Sequence, residues 1–72
     1  MAATGREHKA VMRRIHYIDE KISAGRYPNA TSLAKELECN ARTIQRDIEY
    51  MKDSLYAPLE YDHTKKGYYY TE

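Results

Sequence analysis

Leu33-Ala34-Lys35-Glu36-Leu37-Glu38-Cys39-Asn40-Ala41-Arg42-Thr43-Ile44-Gln45-Arg46-Asp47-Ile48 is the stretch on which the fold of this chain turns. Two helical patterns meet in it, with only Glu38, Cys39 and Asn40 between them. Leu33, Ala34 and Leu37 form the apolar edge of a short helix over residues 32–38, which Thr31 or Asn29 would cap. Asn40 is a good N-cap, because its side-chain oxygen can accept from an orphan amide of the helix that follows. Two helices joined by so few residues cross steeply, as in a helix-turn-helix. Ala34 is small where the helices would cross, and Cys39 holds an apolar turn position. Many such motifs carry glycine where this chain has Glu38, and a left-handed non-glycine residue there costs roughly 1 kcal/mol.

The helix after Asn40 is expected over residues 41–53. Ile44, Ile48, Met51 and Leu55 recur at i, i+4, i+7 and i+11, a single core-facing stripe. Upstream, Val11, Ile15, Ile18 and Ile22 repeat the same spacing and define a first helix over residues 5–24. Lys9, Arg13, His16 and Glu20 fall on its opposite side. Thr4 and Glu7 have capping-box spacing, Gly25 stands where a helix end turns left-handed, and Pro28 blocks continuation. Tyr27 to Ala30 is a candidate short strand. Beyond Pro58 the period changes to two. Leu59-Glu60-Tyr61-Asp62 alternates, His63 to Gly67 reads as a loop with Gly67 free to take positive φ, and Tyr68-Tyr69-Tyr70-Thr71 is rich in strand formers. A hairpin over residues 58–71 directly after a helix-turn-helix is a wing. The expected fold is mainly α with a small β-hairpin, a three-helix winged helix-turn-helix in one domain over residues 1–72.

Composition narrows the function. Seventy-two residues support one thin core and hardly a buried active-site cavity. The single cysteine, Cys39, cannot close an internal disulfide, which points to a reducing compartment. No long apolar run suggests a membrane span. His8, His16 and His63 are scattered, and only His16 and Glu20 share a helical face; a zinc site needs three or four ligands. There is no glycine-rich phosphate loop. The chain reads as non-enzymatic, with no cofactor and no metal. Net charge is only +1, although Arg6, Lys9, Arg13, Arg14, Lys21 and Arg26 outweigh Glu7, Asp19 and Glu20 over residues 1–28.

With the stripe of the third helix turned inward, Arg42, Gln45, Arg46, Glu49 and Tyr50 lie across its exposed arc, and Thr43 lies at the edge. In helix-turn-helix docking the N-terminal part of this helix enters the major groove. Arginine then pairs with guanine O6 and N7, and glutamine with adenine N6 and N7. The competing view is an ordinary solvated face; the placement of both arginines in the first two turns favours DNA. Asp47 flanks the stripe and reads as a structural partner for an amide or an arginine. Lys65 and Lys66 at the hairpin tip are candidate phosphate or minor-groove contacts. Thr31 and Ser32 are candidate phosphate contacts that capping explains equally well. The eight tyrosines invite a stacking platform, but Tyr61, Tyr68 and Tyr70 sit where a small domain needs wide, half-buried side chains.

Ala24 to Ala30, Leu33 to Glu38, Arg42-Thr43-Ile44-Gln45-Arg46-Asp47-Ile48, Pro58 to Asp62 and Gly67-Tyr68-Tyr69-Tyr70 resemble the N-terminal domain of WYL-domain transcriptional regulators. These are bacterial, DeoR-like proteins, and the likeness spans residues 14–70. It implies a cytoplasmic transcription factor, usually dimeric, whose winged helix binds double-stranded operator DNA. Arg42, Thr43, Gln45 and Arg46 match recognition-helix positions, and Lys65 and Lys66 the wing. Asn40 and Ala41 stand where serine followed by arginine is common, which removes one potential phosphate contact. In that family a ligand-sensing WYL portion follows the wing, whereas this chain ends at Glu72. Dimer-forming segments are expected beyond that point, so weak or no dimerisation is expected here. Two other functions compete: a winged-helix module for protein partners, favoured by the near-neutral charge, and a binder of structured RNA.

Overall fold

The computed structural model describes the backbone of residues 2–72 and the side chains of residues 9–72. Helix α1 runs Ala2–Ser23, starting before the expected Gly5 because Ala2 and Ala3 are strong helix formers with no breaker among them. The Thr4–Glu7 capping box falls on side chains outside the described residues. At the other end Gly25 takes φ 73°. Its amide donates to Ile22 O at 3.0 Å and that of Arg26 to Lys21 O at 3.3 Å. This bond pair is a Schellman closure, and it ends the helix at Ser23.

Helix α2 spans Ala30–Glu36, two residues earlier than the expected 32–38. The cap explains the shift. Asn29, rather than Thr31, accepts from Ser32 N at 2.8 Å, while the Ser32 hydroxyl accepts from Asn29 N at 3.2 Å. Glu38 is left-handed at φ 55°, and Cys39 N reaches back to Ala34 O at 2.9 Å. A second Schellman closure thus ends α2 at Glu36 with no glycine present. Helix α3 covers Ala41–Asp53, with the Asn40 side chain accepting from Thr43 N at 2.9 Å. Leu55 leaves the stripe expected of it: α3 ends at Asp53, the chain turns, and Leu55 is exposed.

Strands β1 (Leu59–Asp62) and β2 (Gly67–Tyr70) pair antiparallel, Leu59 opposite Tyr70 and Asp62 opposite Gly67. Asp62 Oδ1 accepts from Thr64 N at 2.8 Å and Lys65 N at 2.9 Å and so organises the loop. The left-handed loop residue is Lys66 (φ 57°), not Gly67. Gly67 is needed for a different reason, because a Cβ there would lie 1.8 Å from Tyr27 O. No strand forms over Tyr27 to Ala30. Tyr27 is left-handed (φ 51°) and Asn29 is already a cap, so the backbone pairing with the hairpin reduces to one bond from Tyr68 N to Pro28 O, 2.8 Å long.

The core joins Ile15, Ile18 and Ile22 of α1, Leu33 and Ala34 of α2, Ile44, Ile48 and Met51 of α3, and Leu59 of β1. Val11, Cys39, Tyr68 and Tyr70 pack against its edge. Asp47 is 4% exposed and meets Arg14 of α1 through two bonds, 2.6 Å to Nε and 3.1 Å to Nη2. This paired geometry holds the roll of α3 against α1, since a forked contact constrains orientation as well as distance. Tyr70 donates to Asp19 at 2.6 Å and Tyr17 donates to Glu36, which fastens the wing and α2 to α1. The result is the three-helix winged helix-turn-helix expected from the pattern.

Candidate nucleic-acid interface

Because Ile44, Asp47, Ile48 and Met51 of α3 point inward, its outer arc consists of Arg42, Gln45, Arg46, Glu49 and Tyr50, all exposed. Among the described residues neither Arg42 nor Arg46 has a side-chain hydrogen bond or ion pair. Asp47, the acid beside Arg46, is committed to Arg14, and among the described residues Glu38 and Glu49 make no ion pair with either arginine. Both guanidinium groups therefore keep their five donors for a partner outside the chain.

The residues at the start of α3 are less free. Asn40 Oδ1 accepts from both the amide and the hydroxyl of Thr43, at 2.9 and 3.2 Å. Ala41 is half-buried and presents only a methyl group. In α2 the Ser32 hydroxyl is closed into the capping box, donating to Asn29 O at 3.0 Å, whereas Thr31 is exposed.

The two wing lysines differ. Lys65 Nζ sits 4.3 Å from the centroid of the Tyr27 ring, a cation–π contact that folds it back onto the protein. Lys66 borders an open groove of about 710 Å³, and its carbonyl lies 3.5 Å from Asn29 Nδ2. This groove runs between α2, α3 and the hairpin, and Thr31, Ser32, Lys35, Gln45, Tyr61 and Tyr68 also line it. Lys35 and Tyr61 did not emerge from the sequence pattern as candidate interface residues. Lys35 was legible, since it stands one helical turn after Thr31. Tyr61 needed the hairpin register, which sets it opposite Tyr68.

Local electrostatics follow from the backbone. Asp62 is held below the usual carboxylate range by the Lys65 amide above all, with the Thr64 amide and nearby positive charge assisting. Burial pushes the Tyr68 phenol up, and the negative charge of Glu49 adds to the shift. Among the described residues no His, Cys, Asp and Glu side chains gather in a metal-binding group, and no helix is long and apolar enough to cross a membrane.

No curated protein and no solved structure gives a significant match to the chain. A family model described as an HTH domain matches residues 13–69. The match covers α1 from Arg13, α2, α3, β1 and β2 up to Tyr69. The chain belongs to the HTH domain family, a family of DNA-binding domains.

Proposed function

We propose that this protein binds double-stranded operator DNA as the DNA-binding part of a bacterial transcriptional regulator, of the WYL-domain, DeoR-like kind that its sequence resembles. The observation that carries the reading is the pair of uncommitted arginines, Arg42 and Arg46, flanking Gln45 on the first two turns of the second helix of a helix-turn-helix. That part of the helix reaches base edges when it docks in a major groove. Arg42, Gln45 and Arg46 read bases. Thr43, Asn40 and the Ala41 amide lie toward the backbone of the same strand, and Thr31 offers a free hydroxyl to phosphate. Ser32 takes a smaller part than its sequence position suggests, because its hydroxyl is occupied. Lys66 meets phosphate from the wing, and Lys65 does so only by leaving Tyr27.

The regulator acts in the cytoplasm. It pairs as a dimer through segments other than this domain, so one copy of the domain engages one half-site with modest affinity. The alternative is docking on an acidic protein surface, and it draws support from the net charge of +1. Titrating the protein against random-sequence duplex DNA and an RNA hairpin at low salt separates the readings. A shift with duplex and a much weaker one with RNA is the expected result. Absence of any shift with duplex would leave the protein-docking reading in its place.

A further inference from the structure

The arc of α3 leaves unused the groove beside it. We infer that this groove between α2, α3 and the hairpin seats the phosphodiester backbone of one DNA strand, gripped by Lys35 and Lys66 from opposite banks and by the Tyr61 hydroxyl. The inference rests on the duplex-binding reading above and adds two residues, Lys35 and Tyr61, that the reading does not use.

Charge is the first argument. The chain carries 12 lysines and arginines against 11 acidic residues, yet the groove lining holds Lys35 and Lys66 and no carboxylate. The acid of α3 whose charge reaches the groove lining, at Tyr68, is Glu49, one turn beyond Gln45. An anion is therefore favoured toward the α2 end of the groove and repelled from the far end.

Rigidity is the second. The two banks are tied by the bond from Tyr68 N to Pro28 O (2.8 Å), by Asn29 Nδ2 to Lys66 O (3.5 Å) and by the close seating of Gly67 on Tyr27. Their spacing is set before any ligand arrives, which reduces the ordering cost of binding. Tyr61 is 37% exposed and its ring is braced edge-on by Tyr68 and His63, both at 5.0 Å between centroids. Its hydroxyl has no hydrogen-bond partner among the described residues.

Continuity is the third. Gln45 lines the groove and also lies between Arg42 and Arg46 on the outer arc of α3. A strand whose bases face those arginines thus has its backbone beside the groove. Phosphate contacts of this kind fix register without reading sequence.

The test uses the 72-residue protein and a labelled random-sequence duplex, followed by fluorescence anisotropy over a salt series. Lys35→Ala and Lys66→Ala should each flatten the slope of log K against log salt by about 0.9. Between about 50 and 200 mM salt the gap to wild type should then narrow roughly 3.5-fold for each variant. Lys52→Ala, which removes the same charge at the exposed end of α3, should leave the slope unchanged. Tyr61→Phe should weaken binding about tenfold at every salt concentration, with the slope and the melting temperature both unaltered. If Lys35→Ala matches Lys52→Ala while Arg42→Ala still weakens binding, the groove inference falls and the α3 reading stands. If wild type does not bind duplex, both fall. Tighter binding of the single strand than of the duplex would also overturn the inference, because the tyrosines would then be stacking bases.

Discussion

Replacing Gly67 with alanine should unseat the wing, and the size of the effect can be worked from the geometry. An added Cβ would lie 1.8 Å from Tyr27 O, 2.3 Å from Tyr27 C and 2.8 Å from Tyr27 Cβ. The first two are backbone atoms, so no rotamer relieves the clash. Restoring ordinary contact requires β2 to move away from Tyr27 by more than about 1 Å, which strains the 2.8 Å bond from Tyr68 N to Pro28 O. Overpacking of this kind costs roughly 1–3 kcal/mol, and the lost hydrogen bond adds about 1 kcal/mol. For a domain of this size each kcal/mol lowers Tm by roughly 4–8 °C, so a loss of about 2–4 kcal/mol should bring the melting point of Gly67→Ala roughly 8–32 °C below wild type. Gly25→Ala is the internal control. Nothing lies within 4 Å of a Cβ there, and only its φ of +73° opposes a side chain, at a cost of about 1 kcal/mol. Thermal unfolding followed by circular dichroism should therefore rank wild type above Gly25→Ala above Gly67→Ala. A Gly67→Ala protein that melts with wild type, or above Gly25→Ala, would refute the seating of the wing on Tyr27.

Three further outcomes are expected. Asp47→Ala leaves the part-buried Arg14 guanidinium without its partner and should cost about 1–3 kcal/mol in chemical denaturation; a double-mutant cycle with Arg14→Ala should show the two losses to be coupled rather than additive. Ile48→Asp places an unpaired charge where Ile48 is 3% exposed, and the cooperative thermal transition should disappear; a normal melting curve would mean the inner face of α3 is misassigned. Alkaline pH should destabilise the fold. Tyr70, raised by burial first and then by its bond to Asp19, and Tyr68, raised by burial, both keep their protons longer folded than unfolded. Their contribution is thus complete below the ordinary tyrosine value of 10.0 and declines as pH rises above it toward the folded values. Urea midpoints should fall above that point, less steeply in Tyr70→Phe; a flat profile up to about pH 11 would contradict this.

The elements that local chemistry controls were legible in the chain. Asn40 as a cap, the stripe of Ile44, Ile48 and Met51, the left-handed turn at Gly25 and the switch to period two after Pro58 each follow from one residue type at one spacing. The fate of Asp47 was legible in kind: a carboxylate beside a core stripe needs a partner, and Arg14 supplies it. What the pattern could not fix were choices between equivalent local solutions. Asn29 and Thr31 are both competent caps, and the reciprocal bond with Ser32 selects Asn29. Gly67 was expected in the loop with a positive φ, whereas it opens β2 and serves the close approach to Tyr27. A glycine tolerates positive φ and also close backbone approach, and only the packing of Tyr27 tells the two apart. Leu55 continues the arithmetic of the stripe, but the helix has already ended.

The exposed arc proposed as the interface was legible on α3, and the groove beside it was much less so. An exposed arc follows directly from a buried one, which gives Arg42, Gln45 and Arg46. The wing lysines are adjacent in sequence and equal in charge, yet Lys65 folds over Tyr27 while Lys66 borders the groove. That difference depends on where the chain crosses itself, 38 residues apart for Lys65 and Tyr27. Lys35 and Tyr61 are joined to Lys66 by the same long-range geometry, which no local period encodes.

Base reading by α3 is tested by comparing the binding of wild type and the Arg42→Ala, Gln45→Ala and Arg46→Ala variants to a site selected from randomised duplexes and to its scrambled counterpart. Each lost bidentate contact should cost about 1–3 kcal/mol on the selected site and much less on the scrambled one, so specificity should collapse toward the random level. Equal weakening on both duplexes would show that Arg42 and Arg46 only hold phosphate and that α3 does not read sequence.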